Sequence, residues 1–214
     1  MTKNLFVTCL VIGCMAVGAA ALPRAFPCSF MNCNKDLKES VVQIKNDRGN
    51  FGSGAIISSD GYILTAAHVA SLFKRSTANI YTVSGKHYTA KVISINEDND
   101  SAIMKIQQAV DLPFLYLSKD LMHKGDNLYI YGFGGGPFAV KKTTFKKYVS
   151  ARGSFGEDDM LFGPGIMPGD SGGPLLNSNG EIVGIGVAKI LDNGNGLGVS
   201  IGHASSMLRE VGIL

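Results

Sequence analysis

Apolar and polar positions along this chain fall into short bursts rather than long helical stripes. Residues 53–58, 62–65, 79–83, 88–95, 102–106, 127–132 and 181–187 are rich in Val, Ile and Tyr and are bounded by Gly, Asn and Asp. Short runs of this kind between turn formers predict many antiparallel strands joined by tight turns. Ser59-Asp60-Gly61 and Ser178-Asn179-Gly180 read as hairpin connections, because a glycine after Asp or Asn readily takes positive φ. Two segments depart from this rhythm. Residues 65–73 predict a short helical turn, and the i, i+3 recurrence of Leu208 and Val211 predicts a closing helix over about 204–211. No internal repeat or low-complexity segment interrupts the pattern, so an all-β fold with a short C-terminal helix is expected.

Composition narrows the picture to one domain. The chain has 214 residues, 45% hydrophobic and 17% charged, enough apolar material for a sizeable core. Gly 27 against Trp 0 suits a turn-rich β protein, and a net charge of +3 argues for no particular polyanionic partner. Lys141, Lys142, Lys146, Lys147 and Arg152 do cluster within residues 138–153, a stripe that could contact anionic lipid or nucleic acid. Val140, Phe145, Tyr148 and Val149 interleave with those charges and are expected to face the core. The segment therefore reads as a solvated hairpin, and no nucleic-acid partner is expected.

The N-terminus stands apart. Lys3 is followed by an uncharged, mostly apolar stretch from Leu5 to Leu22, which reads as a secretory signal or membrane anchor over residues 1–22. Three versions are open. Ala19-Ala20-Ala21 offers small residues for signal-peptidase cleavage; Val11-Ile12-Gly13-Cys14 resembles a lipobox that would place a lipid on Cys14; an uncleaved segment of this length could span a bilayer. All three put the remaining chain outside the cytosol, periplasmic, secreted or membrane-attached. Residues 23–39 read as a linker. Cys28 and Cys33 are either a disulfide closing a small loop or two free thiols, and without a nearby histidine pair they supply no metal site.

The chemistry concentrates around Gly169-Asp170-Ser171-Gly172-Gly173-Pro174 and Thr65-Ala66-Ala67-His68. A serine hydroxyl needs a neighbouring base and donors for the oxyanion it creates. The flanking glycines allow a tight turn in which a substrate carbonyl can approach the amides of Gly169 and Ser171. Gly169 to Gly173 also fits the Gly-x-Ser-x-Gly elbow of α/β-hydrolases. Chain order argues against that fold, because His68 and Asp100 precede the serine, and little helical periodicity appears before it.

Assembled, these segments resemble the chymotrypsin-like (trypsin-fold) serine peptidases, nearest to the bacterial trypsin-like and HtrA-type branch. The likeness runs from about Ser40 to Gly202 through Ser40-Val41-Val42-Gln43-Ile44, Gly52-Ser53-Gly54-Ala55, Gly61-Tyr62-Ile63-Leu64-Thr65-Ala66-Ala67-His68, Asp100-Ser101-Ala102-Ile103 and Pro168-Gly169-Asp170-Ser171-Gly172-Gly173. The resemblance implies a protease domain over 40–214 made of two six-stranded antiparallel β-barrels with the active site between them. It implies His68 as general base, Asp100 as its orienting acid, Ser171 as nucleophile, Gly169 and Ser171 as oxyanion donors, protein or peptide substrates, and no cofactor or metal. Asp98 competes with Asp100 but lies in the polar stretch Asn96-Glu97-Asp98-Asn99, as a solvated acid would. His87, His123 and His203 are expected in ordinary surface or partly buried roles.

Two features depart from the digestive members. Their aspartate six residues before the nucleophile, which pairs with Arg or Lys of the substrate, is replaced here by Gly165. With Ile166 and Met167 nearby and Ile185-Gly186-Val187 along the pocket wall, a small or aliphatic side chain is expected instead. In those enzymes a freed Ile or Val ammonium pairs with the aspartate beside the nucleophile. Asp170 occupies that position, yet no Ile-Val-Gly-Gly segment precedes Ser40, so Asp170 should take another cation or other donors, or the loop has a different trigger. A protease-fold binding protein without turnover is the alternative from another class. Oligomeric state is not legible.

Overall fold

The computed structural model describes residues 37–49, 51–74, 76–108, 111–150 and 159–214, which form two closed antiparallel barrels of six strands each. Strands β1 (Val41–Lys45), β2 (Phe51–Ile56), β3 (Tyr62–Thr65), β4 (Ala78–Thr82), β5 (His87–Asn96) and β6 (Ser101–Ile106) close the first in the order β1-β2-β3-β6-β5-β4. Strands β7 (Asn127–Gly132), β8 (Ala139–Val149), β9 (Asp159–Pro164), β10 (Pro174–Leu176), β11 (Ile182–Lys189) and β12 (Asn195–Ser200) close the second as β10-β11-β12-β9-β8-β7. Closure leaves no unpaired sheet edge in either barrel. A four-residue helix α1 (Ala67–Ala70), running into the 3₁₀ turn Ser71–Phe73, follows β3, and α2 (Ser205–Glu210) closes the chain.

The cores follow from strand periodicity. In β4, Ala78, Ile80 and Thr82 point inward while Asn79 and Tyr81 are half-buried. Ile44, Ile56, Ile63, Ile80 and Met104 fill the first barrel, and Leu128, Ile130, Phe145, Met160, Phe162 and Leu175 the second. Each such side chain contributes about 1.5–3 kcal/mol when fully buried, and no cysteine lies from Ser40 onward, so packing and hydrogen bonds hold the domain. The predicted hairpin glycines Gly61 and Gly180 take φ of 92° and 80°. Five strands lie outside the seven runs read from the sequence: β1, the long β8, β9 with Asp159 and Pro164 at its ends, the three-residue β10, and the glycine-containing β12.

One expectation on β8 is corrected. Val140 is 41% exposed, whereas Lys141 turns inward. The β7–β8 register pairs Lys141 with buried Ile130, and directly opposed residues share a face. Phe145 is buried as expected, and the register shift between Phe145 and Lys147 leaves Lys146 and Lys147 both facing solvent. The leader 1–22, Cys9, Cys14, Cys28, Cys33 and Arg152 lie outside the described residues, as does most of segment 23–39. Among the described residues no helix is long and apolar enough to cross a membrane.

Candidate active site

His68 sits at the junction of the barrels because of what surrounds it on α1. Ala67, Val69 and Ala70 are buried, so the one polar residue of the turn faces outward. Ala66 enters in an extended conformation, and the Thr65 hydroxyl donates to the Ser53 carbonyl at 2.7 Å, fixing the exit from β3. Val69 packs over Gly52, where a Cβ would meet Val69 at 2.7 Å and the Ser171 carbonyl at 3.1 Å. The segment carrying His68 is thereby set against the segment carrying Ser171.

Asp100 lies just before β6 with φ 51°, a conformation that Asp tolerates better than most residues. Its buried carboxylate accepts from His68 Nδ1 at 3.0 and 2.9 Å and from the His68 backbone N–H at 2.9 Å. An ionised carboxylate only accepts, so Nδ1 carries the proton, and in the neutral ring Nε2 then keeps its lone pair. Neighbouring Asn99 is anchored by donating to the His203 carbonyl at 2.8 Å and accepting from the Ser101 hydroxyl at 2.5 Å. Asp98 is exposed.

Ser171 occupies the turn between β9 and β10. The Pro168 carbonyl accepts from the Gly135 N–H at 3.2 Å, and across a trans peptide this turns the Gly169 N–H to the opposite side. Gly169 has φ +100°, and its carbonyl accepts from the Ser53 hydroxyl at 2.7 Å. The Ser171 carbonyl accepts from the Ser53 N–H at 2.8 Å. Among the described residues nothing accepts from the N–H of Gly169 or Ser171, leaving two donors for an incoming anion. The Ser171 hydroxyl donates to the Val187 carbonyl at 3.3 Å, and no hydrogen bond joins it to His68 among the described residues. Such bonds commonly tighten only when substrate is bound.

Asp170 turns away from the cleft and is fully buried. It accepts from the Gly134 N–H at 2.8 Å, the Met167 N–H at 2.8 Å and the Lys141 ammonium. The missing partner in the sequence is therefore supplied from β8.

The pocket candidates separate. Gly165 lies over Ile130 and Lys141, where a Cβ would stand 3.3 Å from Ile130 Cδ1 and 3.8 Å from Lys141 Cβ. Ile166 is buried against Gly186, where a Cβ would meet Ile166 Cδ1 at 2.9 Å. Ile185, one residue earlier on β11, faces the other way and packs in the cluster that includes the first barrel's core. Met167 is half exposed. His87 pairs with Asn79 and stacks on Tyr81, His123 is solvated beside Asp126, and His203 lies 3.9 Å from Asp159. Among the described residues no group of three or more His, Cys, Asp or Glu could hold a metal ion. Ser53 and Lys141 were not singled out for the site from sequence: the serine is one of many small polar residues, and the lysine sits in a basic run.

Two barrels meeting at a His–Asp pair and a serine turn define the chymotrypsin fold of serine hydrolases. Residues 52–185 match the model of the trypsin-like peptidase domain, and the chain belongs to that family. It is 34% identical over 168 residues to a probable periplasmic serine endoprotease DegP-like from Chlamydia trachomatis, covering 75% of this chain and 32% of that protein. It is 32% identical over 168 residues to the periplasmic pH-dependent serine endoprotease DegQ of Escherichia coli, covering 75% and 36%. The chain thus spans about a third of the length of these curated relatives. Among solved structures, the active form of the Rv3671c protease from M. tuberculosis superposes with TM-score 0.74 at 22% identity, covering 95% of each chain, a likeness of fold.

Proposed function

We propose that this chain is an exported serine endopeptidase that cleaves peptide bonds through an acyl-enzyme. His68 Nε2 takes the Ser171 hydroxyl proton as Oγ attacks the scissile carbonyl, and Asp100 holds the ring and stabilises the imidazolium that forms. The Gly169 and Ser171 N–H groups receive the oxyanion, and the imidazolium then protonates the leaving amine. Water, deprotonated by the same histidine, releases the acyl group. The observation that carries this reading is the His68 ring bound to both Asp100 oxygens beside a serine turn with two undirected amide donors.

Gly165, Ile166 and Gly186, backed by Ile185, favour a small or aliphatic residue on the acyl side of the cleaved bond. The apolar Ile166 against Gly186 limits depth, and no acid stands at position 165 for a basic side chain. The names of the curated relatives support a periplasmic location. In this reading residues 1–22 serve as the export or anchoring segment and 40–214 as the protease domain.

The silent binding-protein alternative draws on the Ser171 hydroxyl being turned to Val187. A fluorophosphonate probe separates the two. Labelling that vanishes in Ser171→Ala and in His68→Ala is expected; no labelling of correctly folded protein would favour the binding module.

A further inference from the structure

We infer that Lys141 is the positioning residue that orders the oxyanion loop, an internal cation in place of a freed chain terminus. The inference rests on the proposed peptidase activity and concerns how its machinery is held. Asp170 directly precedes Ser171 and is fully buried, so its charge needs compensation where it lies. Two backbone amides contribute, from Gly134 and Met167 at 2.8 Å each, but the Lys141 ammonium is the full opposite charge in contact with it.

The fold makes this contact specific. Lys141 is set opposite Ile130 on the inward face of β8, and its side chain is only 20% exposed. Gly134 leaves room for the carboxylate, since a Cβ there would lie 2.3 Å from an Asp170 oxygen. With its carboxylate drawn toward β8, Asp170 keeps the turn 167–171 in the form that points the Gly169 N–H away from Gly135 and into the cleft. The stem of Lys141 also runs beneath Gly165, so one side chain supports both the anion donors and the pocket floor. Competence of the loop then needs no α-amino group released by cleavage.

Lys141→Met, Lys141→Arg and the parent are compared by steady-state kinetics, by affinity for a peptide boronate, whose tetrahedral adduct uses the oxyanion donors, and by thermal melting. The expected result is a fall of about 100-fold or more in kcat for Lys141→Met, a parallel loss of boronate affinity, a smaller change in KM, and recovery to within about tenfold in Lys141→Arg. A folded Lys141→Met within about threefold of the parent in kcat and boronate affinity overturns the inference. Should Lys141→Met not fold, the ammonium is read in the parent by ¹⁵N NMR. A slowly exchanging lysine ammonium signal absent from Lys141→Arg supports the contact, and no such signal overturns it. A parent without Ser171-dependent probe labelling is a failure of the peptidase reading, and the ¹⁵N signal then judges Lys141 by itself.

Discussion

Ser53 donates its hydroxyl proton to the Gly169 carbonyl at 2.7 Å while accepting the Phe133 N–H at 3.0 Å, and its own N–H binds the Ser171 carbonyl at 2.8 Å. One residue of the first barrel thus holds two segments of the second, the serine turn and the end of β7. Ser53→Ala leaves the part-buried Gly169 carbonyl and the buried Phe133 amide without this partner, at about 1–3 kcal/mol for a buried group left unsatisfied. A loss of about 2 kcal/mol lowers the melting temperature by roughly 4–8 °C in a chain of this size. Because Gly169 then loses one restraint on its orientation, kcat should fall by about tenfold with a smaller change in KM. Calorimetry and steady-state kinetics check both, and a variant equal to the parent in each would remove Ser53 from the site.

Asp100→Asn probes the ring rather than the fold. An amide at position 100 can donate to Nδ1, which stabilises the tautomer whose Nε2 carries the proton and cannot accept one from serine. The expected loss in kcat is about 10⁴-fold, with KM near the parent value. His68→Ala and Ser171→Ala should each cost about as much as the double substitution, because the groups act as a unit. Additive losses in the double variant would contradict the proposed roles.

How much of this was readable from the chain depends on whether the signal was local. His68, Asp100 and Ser171 each sit in a distinctive local string, and five of the six strands of the first barrel fall on short apolar runs between turn residues. Lys141 was hidden because its inward direction is set by pairing with Ile130 on another strand, not by its own basic neighbours. Val140 was misplaced for the same reason: apolar character predicted the core, while register put it outside. The role of Ser53 depends on contacts to residues more than a hundred positions away for Gly169, which no periodicity encodes. Barrel closure and cross-barrel hydrogen bonds are properties of topology, and one-dimensional patterning carries them only through resemblance.

Gly172→Ala tests the closeness of the barrels. Gly172 has φ +81°, and a Cβ there would meet Thr65 Oγ1 at 2.2 Å and the Ser53 carbonyl at 2.4 Å. Neither neighbour can retreat, since Thr65 Oγ1 is bonded to that same carbonyl. Strain in the left-handed region adds about 1 kcal/mol or more to the steric cost. Gly172→Ala should therefore fail to accumulate as soluble protein, or melt far below the parent. A variant of parental stability would show that the two barrels separate more readily than these contacts imply.

Ile166 offers the sharpest handle on substrate choice. Its Cδ1 fills the space above Gly186, and the side chain is 3% exposed, so Ile166→Ala removes apolar volume from the pocket side of β11. The ratio of kcat/KM for Leu or Phe over Ala or Val at the acyl-side position should rise by about tenfold or more, on the scale of one or two methylenes in an apolar pocket. Truncating a buried Ile also costs about 2–5 kcal/mol, so Ile166→Val, at about 0.5–1.5 kcal/mol, serves as the milder step in the same direction. Gly165→Asp should not confer cleavage after Arg or Lys. Its φ of +138° is one that side chains rarely adopt, and a carboxylate placed there would lie beside Lys141, which would compete with the substrate for it. A peptide library profiled with all three variants decides the matter: efficient cleavage after basic residues by the parent, or by Gly165→Asp, would show that the pocket floor is not the one drawn from Gly165, Ile166 and Gly186.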